Sequence, residues 1–217
     1  MNFKRISSAP PLTPYAPQWD YTLGTRIFKN INLNVLAKTC LEKEREIKKL
    51  PVAYVNGDVN DGNTGLGKNS TTSKYQFYNV LEWKTPETDQ LKSNIITSLF
   101  DYNSHLKNQT PQVWVSCWVN ILRWGQNLKP HLHLSDSRTY LSGHFNVQNS
   151  DTSTCYMLPF TQIKYPVTTN IKNREGELTL FPSYINHYTT KHYSFKPRIT
   201  IAFDLCLEKK FNSMILL

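Results

Sequence analysis

The 217-residue sequence predicts a mainly β fold, a sandwich or jelly roll, braced by two helices. Three observations carry that expectation. From Gln112 the pattern takes a period of two: VWVSCWVNILRW sets Val113, Val115, Cys117 and Val119 against Trp114, Ser116, Trp118 and Asn120. Side chains alternate across a strand, so this is a strand signature. Stretches of the same kind recur near 139–148, 154–158, 176–182 and 197–206, separated by Gly, Pro and Asn turns. Two helical patterns come first, a layer suited to covering a sheet.

Residues 1–26 hold Pro10, Pro11, Pro14 and Pro17 without a clear period. They read as an extended arm, wrapping the body or partly mobile. From Asn32 to Leu50 the period becomes helical, with Leu33, Leu36, Ala37, Cys40, Leu41, Glu44 and Ile47 on one stripe. Asn32 or Asn34 can cap its start, and Pro51 marks its stop. Residues 56–74 form a loop rich in Gly, Asn, Ser and Thr. Gly62 to Lys68 has the spacing of a phosphate-binding loop, but Asn69 stands where a magnesium-binding Ser or Thr belongs. A surface loop is the better reading, and its length suggests a flap over a site. YQFYNVLEW, 75–83, reads as a short strand. Pro86 then opens a second helix to about Leu106, with Leu91, Ile95, Leu99 and Tyr102 on one stripe.

Composition narrows the class. Hydrophobic residues at 39% and aromatics at 12% belong to a folded chain with a sizeable core. No run of 18 apolar residues appears, and the N-terminus lacks the apolar stretch of a signal peptide, so a cytoplasmic protein without a membrane span is expected. Cys40, Cys117, Cys155 and Cys206 are scattered, which fits buried free thiols rather than a zinc ribbon or redox dithiol. The net charge of +9 is spread along the chain. It reads as a solubilising surface, with nucleic acid as the minority reading for a partner.

The chemistry concentrates in KPHLHLSDSRTYLSGHFNV, 129–147, and in the segment from Gly176 to Leu205. His131 and His133 stand two apart and can aim at one point if extended. His187 follows, then Arg198 and Thr200, again two apart. Imidazoles suit iron, and three protein ligands on one face leave half the octahedron open. In KPRITIAFDL, Arg198 and Thr200 face one side while Ile199, Ile201, Phe203 and Leu205 face the other. A buried guanidinium requires an acceptor, either a bound carboxylate or an Asp or Glu of the chain. Asn120, Arg123 and Tyr140 are further candidates for oxoacid or substrate binding. His105 at the helix end reads as structural, His192 as exposed beside Lys191, and His144 as a residue of the cavity. Trp118 and Trp124 read as core.

These pieces resemble the 2-oxoglutarate- and Fe(II)-dependent dioxygenases, which read His-x-Asp, a distal His, and Arg followed two later by Ser or Thr. The likeness is greatest to bacterial and phage oxygenases with His-x-His, Ser-Gly and Phe-Pro-Ser-x-x-x-His, here His131-Leu132-His133, Ser142-Gly143 and Phe181-Pro182-Ser183 to His187. It covers residues 111–206. The resemblance implies a double-stranded β-helix, with residues 1–110 as arm and helical brace and 111–217 as jelly-roll core of one integrated domain. It also implies Fe(II) on His131, His133 and His187, and 2-oxoglutarate held at its distal carboxylate by Arg198 and Thr200. O2 would complete the set, with hydroxylation of a further substrate and release of succinate and CO2.

His133 departs from the family's carboxylate. It can itself be the third ligand, Asp136 can bend back to supply a carboxylate, or water or chloride can fill the place. The first serves the i, i+2 geometry directly. A cupin-like three-histidine dioxygenase using no oxoacid and a non-catalytic jelly-roll binding module are the alternatives for the whole chain.

Overall fold

In the computed structural model, which describes residues 1–133, 140–160 and 167–217, two antiparallel sheets face each other and helices cover the larger one. In chain order the strands and helices begin with β1 (Asn2–Ser7), β2 (Asp20–Ile27), α1 (Leu33–Ile47), β3 (Tyr54–Val55) and β4 (Asp58–Val59). There follow α2 (Pro86–His105), β5 (Trp114–Leu122), β6 (Leu141–Gln148), β7 (Ser153–Met157) and β8 (Thr168–Lys172). The last four are β9 (Glu177–Pro182), β10 (His187–Thr189), β11 (Arg198–Cys206) and β12 (Ile215–Leu216).

The large sheet has the order β1-β2-β9-β6-β11-β5-β12, and the small one β10-β7-β8. The two-residue period of β5, β6 and β11 divides their side chains. Val115, Cys117, Val119, Ile121, Phe145, Val147, Ile199, Ile201, Phe203 and Leu205 join the main core beneath the helices. Polar residues take the opposite face, toward the small sheet. Gly143 lies on the core face because Phe203 sits over it: a Cβ there would fall 2.6 Å from the Thr179 carbonyl oxygen and closer still to the Phe203 ring.

Both helices begin where their caps predict. The Asn32 side chain accepts from the Val35 N–H, and Thr85 and Thr88 form a reciprocal capping box ahead of Pro86. Leu36, Ala37, Cys40 and Ile47 of α1 are buried, as are Leu91, Ile95, Leu99 and Tyr102 of α2. Glu44 also lies on the buried stripe of α1. It accepts 2.9 and 2.7 Å bonds from Arg123, just past β5, and pairs with Lys48. Burial alone would raise its pKa, but Arg123 and Lys48 hold it below the usual carboxylate range.

The N-terminal region is not a loose arm. Residues 2–7 and 20–27 are strands of the large sheet, β1 paired to β2 and β2 to β9. Prolines confined to 10–17 interrupt them only at the turn. The sheet therefore crosses the expected division at residue 110. The expected strand at 75–83 is absent. A short 3₁₀ turn at Val80–Glu82 stands there, capped by Asn79, whose amide bonds the Val115 carbonyl, and another turn at Thr72–Lys74 precedes it. Among the described residues all four cysteines are free and buried. No helix of those residues is long and apolar enough to cross a membrane.

Candidate active site

The polar face of the large sheet reads as three rows across β5, β11, β6 and β9. Asn120, Thr200 and Asn146 are register neighbours, as are Trp118, Ala202, His144 and Thr179, and then Ser116, Asp204, Ser142 and Phe181. Trp118, Asn120, His144, Phe181, Thr200 and Asp204 of these rows, with residues of β7, β10 and the 62–75 segment, line one cavity.

His131, His133 and His187 meet at this cavity. One ring nitrogen from each lies within 4.8 Å of the others. The backbone causes it: His131 and His187 form an isolated antiparallel bridge, with N–H to O distances of 3.0 and 2.9 Å. The His133 N–H then donates to the Ser183 carbonyl at 3.0 Å, which fixes the second imidazole of the pair. His131 is thus an added position at the edge of the small sheet.

The Nδ1 atom of each histidine has an acceptor: the Lys129 carbonyl for His131, the Ile185 carbonyl for His187, and the Asp204 carboxylate for His133. An acceptor at Nδ1 keeps the proton there and leaves the lone pair on Nε2. Three imidazoles that present Nε2 fit a divalent metal, and their Nδ1 partners are of the kind that orient metal-binding histidines. Burial, with His133 adding to it, pushes His131 down to about 4. Burial and the other two histidines push His187 well down.

Arg198 and Thr200 line the same cavity, at 2% and 3% exposure. Among the described residues, neither Nε nor Nη1 of Arg198 finds a hydrogen-bond partner, nor does the Thr200 hydroxyl. Burial lowers the guanidinium to about 10. No described Asp or Glu pairs with it, so the set fits an anionic ligand that enters the cavity. His144 lies in the same cavity, with Nε2 2.9 Å from the Tyr156 hydroxyl. Burial and Arg198 push it down to about 3, so it stays neutral.

Asn120 also lines the cavity, its side-chain oxygen accepting from Thr72. Two other candidates are elsewhere. Tyr140 packs against the main core and its hydroxyl accepts from the Asn103 amide at 2.9 Å, while Arg123 is committed to Glu44. Asp136 lies outside the described residues. The 56–74 segment is not a free flap along its length. Thr64, Thr71, Thr72, Ser73 and Lys74 are buried, Thr71 donates to the Val119 carbonyl, and Gly62, Thr64 and Thr72 form cavity wall. Its exposed residues are Asn56 to Asp58, at the tip of the β3–β4 hairpin, and Asn63, Gly65, Lys68 and Asn69.

His192 is fully buried. Its ring bridges Ser150 and the Lys196 carbonyl, and its backbone pairs with Gly125 and Gln126. Trp124 is 56% exposed, stacked on Phe195, whereas Trp118 is buried and lines the cavity. His105 stacks on Phe3 with ring centroids 3.8 Å apart. Asp204 escaped sequence reasoning. The signal was present, since Asp204 shares the face of Arg198 and Thr200 on one strand.

Residues 116–204 match the family model described as "Putative 2OG-Fe(II) oxygenase". No curated protein matches the chain. Among solved structures, a Pseudomonas putida prolyl-4-hydroxylase aligns over 86% of this chain and 93% of its own, at 14% identity and a TM-score of 0.56. The epimerase SnoN, in complex with Fe3+, alpha ketoglutarate and nogalamycin RO, aligns over 85% and 78%, at 10% identity and 0.54. AviO1 from Streptomyces viridochromogenes Tue57 aligns over 80% and 82%, at 10% identity and 0.54. At these identities the likeness is one of fold, the double-stranded β-helix.

Proposed function

We propose that residues 116–204, which match the model of a 2OG-Fe(II) oxygenase family, form an oxygenase domain, and that the chain uses O2 to hydroxylate a substrate while converting 2-oxoglutarate to succinate and CO2. The observation that carries this reading is the orphaned Arg198–Thr200 pair in the same cavity as the three histidines. A histidine cluster alone fits many metals and many reactions. A buried guanidinium and a hydroxyl beside it, both without protein partners among the described residues, fit the far carboxylate of an oxoacid.

His131, His133 and His187 would hold Fe(II) through Nε2. When bound, the metal would supply the Lewis acidity that binds the oxoacid and the redox chemistry that activates dioxygen. The chain's own part is positioning. Arg198 and Thr200 set the depth at which the oxoacid lies, and His144, neutral, bonds Tyr156 without adding a competing charge. Thr64, Thr72, Trp118 and Leu132 wall the remaining space, where the second substrate would sit. Three neutral ligands leave the metal's charge to be balanced by the dianionic cosubstrate and by Asp204.

Anaerobic titration of Fe(II) with and without 2-oxoglutarate tests the assignment. A visible metal-to-ligand charge-transfer band requiring both is expected. Iron binding without any response to the oxoacid would refute it, in favour of a three-histidine dioxygenase that uses none.

A further inference from the structure

Where the family places a metal-binding carboxylate, this chain has His133, and the geometry points to Asp204 as the residue that returns the missing charge. We propose that Asp204 is a positioning residue that acts on the metal through His133. This rests on the metal reading above.

Four observations support it. Asp204 Oδ1 accepts from His133 Nδ1 and also, at 2.6 Å, from the Ser142 hydroxyl. The Ser183 hydroxyl lies 2.9 Å from that of Ser142, and Ser183 carries the carbonyl that receives the His133 N–H. The carboxylate, both serines and the imidazole therefore form one closed group around His133. Second, Asp204 projects from β11 on the face that bears Arg198 and Thr200, and lines the same cavity. Third, no Lys or Arg among the described residues forms a salt bridge with Asp204, which leaves His133 as the basic group against it. Fourth, the other two histidines lean on backbone carbonyls and carry no such charge.

A carboxylate behind an imidazole fixes the ring, holds the proton on Nδ1 and makes Nε2 a stronger donor to the metal. A ligating carboxylate would have given its charge directly; here it reaches the metal one ring further away. Asp204 is then specific to the His-x-His arrangement, since a carboxylate at position 133 would be repelled by it.

Asp204→Asn tests this, because the amide keeps the size and the Ser142 contact. It removes the charge and can offer its own N–H to Nδ1, which invites the wrong tautomer. Co(II) affinity should be measured by chelator competition, with no oxoacid present, on the parent, Asp204→Asn, His133→Ala and the double variant. Removing a partner behind a metal-binding histidine typically weakens metal affinity roughly 10- to 100-fold. That loss is expected in Asp204→Asn, with altered Co(II) visible bands and an unchanged unfolding midpoint without metal. In the His133→Ala background the same change should cost almost nothing, since Asp204 acts only through that ring. Parent-like affinity in Asp204→Asn would overturn the proposal. So would a full loss that persists in the double variant, which would make Asp204 a direct ligand. A parent that binds no divalent metal would overturn the functional reading itself and this inference with it.

Discussion

Replacing Arg198 by methionine should move two measured quantities in opposite directions. The guanidinium is 2% exposed, and two of its nitrogens have no described partner. In the ligand-free protein it is a desolvated cation, and burial lowers its pKa to about 10. On the proposed function, binding of an oxoacid would give it a carboxylate. Loss of one member of a desolvated charge pair costs about 2–5 kcal/mol, and each 1.4 kcal/mol is tenfold. Affinity for 2-oxoglutarate, read by anaerobic calorimetry on the Fe(II)-loaded protein, should therefore fall roughly thirty-fold to several thousand-fold. Thr200 remains to make one hydrogen bond, so the lower half of that range is favoured. Metal affinity without oxoacid should stay within about twofold, as Arg198 is not among the grouped histidines. The unfolding midpoint without ligand should hold or rise, because methionine keeps the apolar stem and removes an unpaired buried charge. An unsatisfied buried polar group costs about 1–3 kcal/mol, and 1 kcal/mol is about 2–4 °C in a chain of this size. An unchanged 2-oxoglutarate affinity would refute the cosubstrate assignment. A midpoint several degrees lower would show that Arg198 has a structural partner instead.

The remaining predictions concern protons, packing and one discarded candidate. His131, His144 and His187 all have depressed pKa values, so the unfolded chain takes up protons first as pH falls. Stability of the metal-free protein should be full above pH about 6.5 and decline toward about 4, where His131 itself protonates; denaturant titrations across that window check it. Flat stability there would mean that these histidines are solvated. Gly143→Ala should destabilise by about 1–3 kcal/mol or more, since Phe203 and the Thr179 carbonyl both occupy the new methyl's space. Thermal unfolding reads that loss, and the value should shrink when Phe203→Leu is added. Tyr140→Phe should leave 2-oxoglutarate affinity unchanged in calorimetry, its hydroxyl being spent on Asn103.

Much of this site was legible because strands convert sequence parity into geometry. Arg198 and Thr200 share a face by their spacing alone, and the structure puts both in the cavity. The pairing of His131 with His187 was not readable from either segment. It comes from a backbone bridge between chain regions whose spacing no local pattern encodes. Asp204 was readable in principle, by the same parity as Arg198, but an acid near a strand end reads as a solvated side chain. Its role depends on Ser142 and His133 arriving from elsewhere. His192 and Trp124 failed for one shared reason. The turn after β5 ends at Gly125, with φ +77°, and pairs with the backbone of residue 192. That pairing draws the histidine in and leaves the indole outside. β8 and β10 escaped because TTNIK has no apolar alternation and HYT is too short to show any. The missing strand at 75–83 is the reverse error, since aromatic side chains favour strands, yet here Tyr75 packs on Trp118 from the residue just after a 3₁₀ turn.

The His131–His187 bridge also bears on the order in which this protein comes together. Two of the three grouped histidines are set side by side by amide hydrogen bonds that need no ion, and the third is anchored by its own amide to Ser183. The freedom that a metal would otherwise have to remove from three side chains is already surrendered during folding. On the function proposed above, iron would then be a late arrival. It cannot template a sheet whose β2 and β9 strands, far apart in sequence, must already have met. A chelator should strip the metal and leave the far-ultraviolet circular dichroism unchanged, unlike a zinc finger, whose fold collapses without its ion. Reloading should proceed in a single fast phase with no refolding step. A cell could thus make and keep this chain while iron is scarce and charge it when iron returns.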